Sequence, residues 1–190
     1  MIQLIKNVLI ILLLTAGVSG SAARPGLSIG IHQSRFIGRN LPGKRIDGIP
    51  GFNIGGSLYW PLNSVLTLQN GLALCIKGCR MNTVGDIYLT NIFVYIESPV
   101  ILRIHFHQKN QQPFLQLGTS LNYNVLAIND VGLIDKIRKW DMGLIGGFGL
   151  DLPKLSLAIC FNQGLIPIDI SESKTGLRHQ TLGTSITFVF

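Results

Sequence analysis

The chain has 190 residues, of which 47% are hydrophobic and only 13% charged, about half the charged share of an ordinary soluble domain. One domain with a sizeable core fits this length, and the apolar content excludes a disordered chain. The 22 glycines follow no fixed period and the three cysteines are too few for a disulfide scaffold, so collagen-like and disulfide-rich classes are excluded as well. The formal net charge is +7, but the basic residues are scattered over expected loops without aromatic interleaving, and no nucleic-acid partner is expected.

Residues 1–23 read as an export signal. Lys6 precedes an apolar run at residues 8–14, and the small residues Gly17, Ser19, Gly20, Ser21, Ala22 and Ala23 follow, the layout of a secretory signal peptide. Cleavage is expected after Ala23, with Gly20 as the alternative. An uncleaved anchor is the competing reading, and the run falls short of the roughly 20 residues a helical span needs. No cysteine stands just beyond it to carry a lipoprotein anchor.

The remaining residues, 24–190, alternate with period two. A first strand is expected near residues 27–33. Residues 48–76 contain no charge, a length that would suit a membrane helix, but Pro61 and recurring polar residues break any continuous apolar helical face. With period two the stretch becomes a hairpin. Phe52, Ile54, Leu58 and Trp60, then Leu66, Leu68, Leu72, Leu74 and Ile76, share one face, while Asn53, Ser57, Thr67, Gln69 and Ala73 share the other. Next, Val94, Ile96, Val100, Leu102 and Ile104 alternate with Tyr95, Glu97, Ile101, Arg103 and His105. Further strands follow at residues 115–123, 142–150, 155–161 and 182–190, which makes eight.

Connections alternate between short turns near residues 61–63, 107–112 and 152–154 and long, charged ones near 34–49, 78–87, 124–140 and 164–179. This is the asymmetry of an up-and-down barrel in an outer membrane, with short periplasmic turns and longer external loops. The fold class expected is therefore all-β: an eight-stranded antiparallel transmembrane β-barrel with both termini periplasmic. Lipid around the barrel accounts for the low charge. A soluble eight-stranded carrier would place its apolar face inward. Here the other face is rich in Gly, Ser, Asn and Thr, and would make a poor soluble exterior. Trp60, Phe106, Tyr123, Trp140 and Phe190 fall at strand ends, where an interfacial girdle would want aromatics.

Several segments together resemble the outer-membrane β-barrel domain family common in Bacteroidota, described as PorT-like. They are Tyr59-Trp60-Pro61 with Leu68-Gln69-Asn70-Gly71-Leu72, the stretch Tyr95-Ile96-Glu97-Ser98-Pro99-Val100-Ile101-Leu102, the Gly-rich strand at 141–150, and the last strand at 181–190. Ser98 stands where the family usually has an apolar residue before the proline. The resemblance implies an outer-membrane location and a barrel of about eight strands, in a family whose founding member is linked to secretion of proteins across the outer membrane. It also implies a closing aromatic signal, Phe188 and Phe190, read by the barrel assembly machinery.

Candidate chemical sites are few. His105 and His107 form an H-x-H pair that would chelate a metal only if a third ligand converged; two histidines at the periplasmic rim is the simpler expectation, and neither metal nor cofactor is expected. Cys75 and Cys79 are about 13 Å apart along a strand, too far for a local disulfide. Cys75 and Cys160 share the inward face, where a cross-barrel bond is an alternative to the free thiols expected for all three. Glu97 and Arg103 point inward on one strand and need opposite charges from neighbouring strands, with Asp141 and Asp151 as candidate partners of the arginine. This predicts a lumen filled by ion pairs. Three functions follow: a non-enzymatic outer-membrane protein with a structural, assembly or secretion-associated role, an outer-membrane enzyme using loop groups such as Asp169, Glu172 and His179, or a soluble carrier of an apolar ligand. The first fits the sequence best, since an eight-stranded barrel with a filled interior is too narrow for a porin.

Overall fold

The computed structural model describes residues 23–38, 46–82, 88–106, 111–134, 137–168 and 176–190. Residues 1–22 of the expected signal peptide lie outside the described residues, as do His107, Asp169 and Glu172. The strands are β1 (Arg24–Ile37), β2 (Ile46–Pro61), β3 (Leu66–Asn82), β4 (Tyr88–His105), β5 (Gln112–Asn129), β6 (Gly132–Leu133), β7 (Trp140–Asp151), β8 (Leu155–Gly164) and β9 (Arg178–Val189). Among the described residues there is no helix.

All pairings are antiparallel. Each long strand pairs with its neighbours in the chain, and β5 pairs with β7 across the two-residue β6, which folds back on the tip of β5. The first and last strands then meet, from Gly26↔Val189 to Ile37↔Arg178. That pairing turns the sheet into a closed barrel of eight strands with β6 as an appendage. Closure matters because a backbone N–H or C=O left open to lipid costs several kcal/mol, so a sheet in a membrane can have no edge.

The side chains settle which way the barrel faces. Leu27, Ile31, Phe52, Leu117, Phe148 and Leu182 are exposed on the outside, whereas Glu97, Arg103, Gln116, Asn122, Asp141 and Asn162 are buried inside. A soluble carrier requires the reverse sense, and that reading is overturned. Aromatic side chains mark the two ends of the apolar band. Trp60 donates its indole N–H to Asn70 Oδ1 at 3.2 Å near the end that holds the termini. Tyr123 and Trp140 pack with ring centroids 4.7 Å apart near the other.

Strands run further toward the loop end than the alternation alone implied. β1 continues to Ile37, β2 begins at Ile46 and β3 ends at Asn82, so part of each expected long loop is paired strand. β4 and β5 have 18 residues and β8 has 10, against the 9–11 or so that a tilted strand needs to span a membrane. The extended parts obscure the alternation because two bulges reset it. Register shifts occur between Gly48 and Phe52 on β2 and at Val125 on β5, where Val94 pairs with Leu126 and Tyr95 with Asn124, and an extra residue exchanges the inward and outward sets beyond it. Beyond these bulges, Ile46 and Met81 face each other on the inner side and Ala127 is buried.

At this end the interior turns apolar. Phe36, Cys79, Phe93, Tyr95, Ala127 and Ile168 form a cluster, packed over by Ile134, Ile137 and Leu177, with the Phe36 and Phe93 rings edge to face at 5.1 Å. The lumen is thus capped by a small core of soluble-protein type.

The Gly-rich β7 shows what the narrow interior demands. A Cβ at Gly147 would run into the Ile159 carbonyl and lie 3.0 Å from Gln116 Nε2, while at the adjacent Gly146 it would meet only Leu117 Cδ2 at 3.8 Å. Gly147→Val is therefore expected to abolish the heat-dependent mobility shift of the folded barrel on SDS gels. Gly146→Val should retain it, and equal behaviour of the two would contradict the face assignment.

Candidate functional site

The lumen holds the chemistry of the chain, arranged in three layers. Nearest the termini, Arg103 on β4 donates from Nη1 to Asp151 Oδ1 at 3.0 Å and to Ser156 Oγ at 2.9 Å. His105 Nε2 meets Asp151 Oδ2 at 2.9 Å, and its Nδ1 lies 3.2 Å from the Val65 carbonyl. The guanidinium sits between the Tyr59 and Phe114 rings, 4.8 and 4.3 Å from their centroids. Alternation alone puts Arg103 and His105 on one face of β4, and the turn after Asp151 brings the carboxylate under both. This layer closes the inner end of a 410 Å³ vestibule whose rim includes Arg24 and Asn63.

The middle layer is built on Glu97. Lys77 Nζ donates to Glu97 Oε2 at 2.9 Å, and Asn162 Nδ2 donates to Glu97 Oε1 at 2.9 Å and Ser120 Oγ at 3.3 Å. The lysine is almost wholly buried and lies 5.4 Å from the Tyr95 ring centroid. Between this layer and the first remains a cavity of about 130 Å³, bordered by Gln69, Cys75, Gln116 and Cys160. Gln116 Nε2 donates to Cys160 Sγ at 2.8 Å. All three cysteines are free, so the cross-barrel bond is absent.

The third layer lies under the apolar cap. His179 Nε2 stands 2.8 Å from Asp141 Oδ2, with the Tyr95 ring 5.4 Å from the imidazole. Two expectations are corrected here. Asp141 does not serve Arg103, because the pairing Asn122↔Asp141 lifts it to the loop end of β7, where it meets histidine. His179 is no loop group but a residue of β9, 0% exposed beside an Asp141 that is 2% exposed. Both side chains are therefore shut away from solvent.

His105 is likewise buried in an ion-pair layer and not at an open rim. Among the described residues no group of three His, Cys, Asp or Glu side chains is placed to hold a metal. Sequence reasoning missed Lys77, which follows the apparent end of a strand at Ile76. The signal was present: Cys75, Lys77 and Cys79 continue the inward parity of Gln69 and Ala73.

The closed barrel agrees with what the chain resembles. A family model described as "Outer membrane protein beta-barrel domain" matches residues 14–169. The chain belongs to that family of outer-membrane β-barrels. Among solved structures it is similar to Neisserial surface protein A, with a TM-score of 0.54 at 16% identity, covering 90% of this chain and 100% of that one. It is also similar to the outer membrane protein OprG from Pseudomonas aeruginosa, with a TM-score of 0.54 at 11% identity over 90% of this chain and 98% of that one. At such identities the likeness concerns the fold. Among curated proteins no sequence matches. The outer membrane is accordingly the location of this barrel, with its apolar band in lipid.

Removing one partner of a buried pair strands a charge, at a cost of about 3–5 kcal/mol. Lys77→Met should lower the stability of the refolded barrel by about that much in denaturant titrations followed by tryptophan fluorescence, and adding Glu97→Gln should recover most of it. Arg103→Met should reduce resistance to heat in SDS; unchanged resistance would argue against the plug. In denatured, unreduced protein three thiols should titrate.

Proposed function

We propose that this barrel is a non-enzymatic integral outer-membrane protein with a structural, assembly or secretion-associated role, and that it conducts no solute. The observation that carries this reading is the sealed lumen. Two layers of charged pairs and the His179–Asp141 pair lie in series beneath an apolar cap, and the space left between the first two is about 130 Å³. An eight-stranded barrel filled in this way has room for side chains and a few waters.

In this reading residues 1–23 direct export and are removed after Ala23. The termini and short turns lie in the periplasm and the long connections outside. The last strand supplies the signal for the barrel assembly machinery. Phe188 and Phe190 are exposed at its end, and the Phe190 N–H donates to the Pro25 carbonyl at 2.8 Å, beside the seam where β9 meets β1. The resemblance of the Tyr59–Pro61, Tyr95–Leu102 and terminal-strand segments to the PorT-like barrels of Bacteroidota supports a secretion-linked place. Its partners would then be other proteins of a secretion system, met through the loops.

Fractionation of expressing cells followed by SDS gels with and without boiling tests the placement, with outer-membrane recovery and a heat-dependent shift expected. Planar-bilayer recording tests the sealed lumen: no stable conductance is expected, and regular channel steps would overturn it. Crosslinking through the external loops would then identify partners.

A further inference from the structure

The apolar cap inside the loop end of the barrel encloses a pocket of about 160 Å³. Phe36 on β1, Cys79 on β3 and Phe93 on β4 line it from the strands, and Ile134, Ile137 and Leu177 pack over them from the connections. The gap follows from side-chain length. Cys79 pairs with Asn91, and this row of a thiol and a short amide stands between the longer Met81 on one side and Phe93 on the other, all four lining the space. Backbone bonds hold the cover in place. The Arg138 N–H donates to the Ile168 carbonyl and the Ile168 N–H to the Leu177 carbonyl, both at 2.8 Å.

The lining selects the occupant. It carries no charged side chain and a single amide, Asn91, whose Nδ2 donates to the Leu89 carbonyl at 3.4 Å. A charged or strongly polar guest would lose its hydration there without replacement bonds. Water gains little either, because an apolar cavity of roughly 150 Å³ lined by Leu, Ile and Phe stays dry and takes up benzene or xenon. Size sets the other limit, since a drug-sized ligand needs a site of about 300 Å³ or more. The Phe36 and Phe93 rings already meet edge to face at 5.1 Å, and a third ring beside them would gain the same kind of contact.

We propose that the pocket between Phe36, Cys79, Phe93 and the cover of Ile134, Ile137 and Leu177 binds one small uncharged apolar molecule, about the size of a benzene ring. This goes beyond the structural role above. The site captures its guest without passing it on, because the His179–Asp141 pair and the ion-pair layers lie beneath. The full barrel, with isoleucine and methionine methyls carbon-13-labelled, is titrated with benzene in phosphatidylcholine nanodiscs and followed by NMR. The methyls of Met81, Ile137 and Ile168, which line the pocket, should shift and saturate. Those of Ile29 and Ile54, exposed on the lipid face, should drift without saturating as benzene enters the bilayer. Benzoate, the same ring with a charge, should produce no saturating shift. Cys79→Leu fills the pocket and should weaken benzene binding roughly tenfold, the worth of about two buried methylenes. Ile134→Ala widens the pocket from the loop side and should move the preference from benzene toward butylbenzene; if Cys79→Leu does not fold, this preference decides alone. Shifts that never saturate at the pocket methyls, saturation by benzoate as well, or affinities unchanged by the variants would overturn the proposal. Failure of the unaltered barrel to enter nanodiscs and show its heat-dependent mobility shift would instead overturn the lipid-embedded placement itself.

Discussion

The pairing of β1 with β9 is the interaction on which the rest depends. A sheet in lipid cannot leave its first and last strands unpaired, because no water is present to satisfy their backbone groups. Once the seam from Gly26↔Val189 to Ile37↔Arg178 is made, each strand has two neighbours and every side chain faces either lipid or lumen. Neither direction offers bulk water at mid-depth. Apolar residues serve outward, and whatever polar character the chain carries is forced inward, where it must satisfy itself.

That second requirement explains the layering of the interior. Arg103 cannot be neutralised by its own strand, and alternation brings no opposite charge beside it on β4. Its partner comes from across the lumen, Asp151, shared with His105. Glu97 is met by Lys77 on the adjacent β3 and by Asn162 from β8. These contacts tie non-adjacent strands to one another across the barrel. They do the work that hydrophobic packing does in a water-soluble core, and the hydrophobic packing this chain does possess is displaced to the loop end, where the strands rise out of the apolar band.

How much of this could be read from the sequence follows from where parity is conserved. Between the bulges, alternation is strict, so the strand count, the closed barrel and the inward placement of Glu97, Arg103 and Cys75 were legible. The Arg103–Asp151 contact was one of two options, and the other, Asp141, could be excluded only by cross-strand register. Register is set by pairing partners far apart in the chain and leaves no mark in a local pattern. At the bulges, between residues 48 and 52 on β2 and at Val125 on β5, the parity is reversed, and the alternating signal fades although pairing continues. Lys77 and His179 were missed for another reason, since β3 and β9 keep their parity throughout. A charged residue after a long apolar run reads as a strand end, and a histidine among polar neighbours reads as a loop, until the opposite strand is known to continue.

The unequal strands have one more consequence, carried by the smallest element. β5 rises past the start of β7, and its pairing with that neighbour stops at Tyr123↔Trp140. From there to Asn129 it would present a bare edge to any other barrel in a crowded membrane, a template for intermolecular sheet growth. The chain covers that edge with itself. β6 pairs as Ile128↔Leu133 and Asn129↔Gly132, the Ile134 N–H donates to the Ala127 carbonyl, and the Asn124 N–H donates to the Lys139 carbonyl. The two-residue strand is thus a guard against aggregation, placed where the seam that protects the rest of the barrel cannot reach.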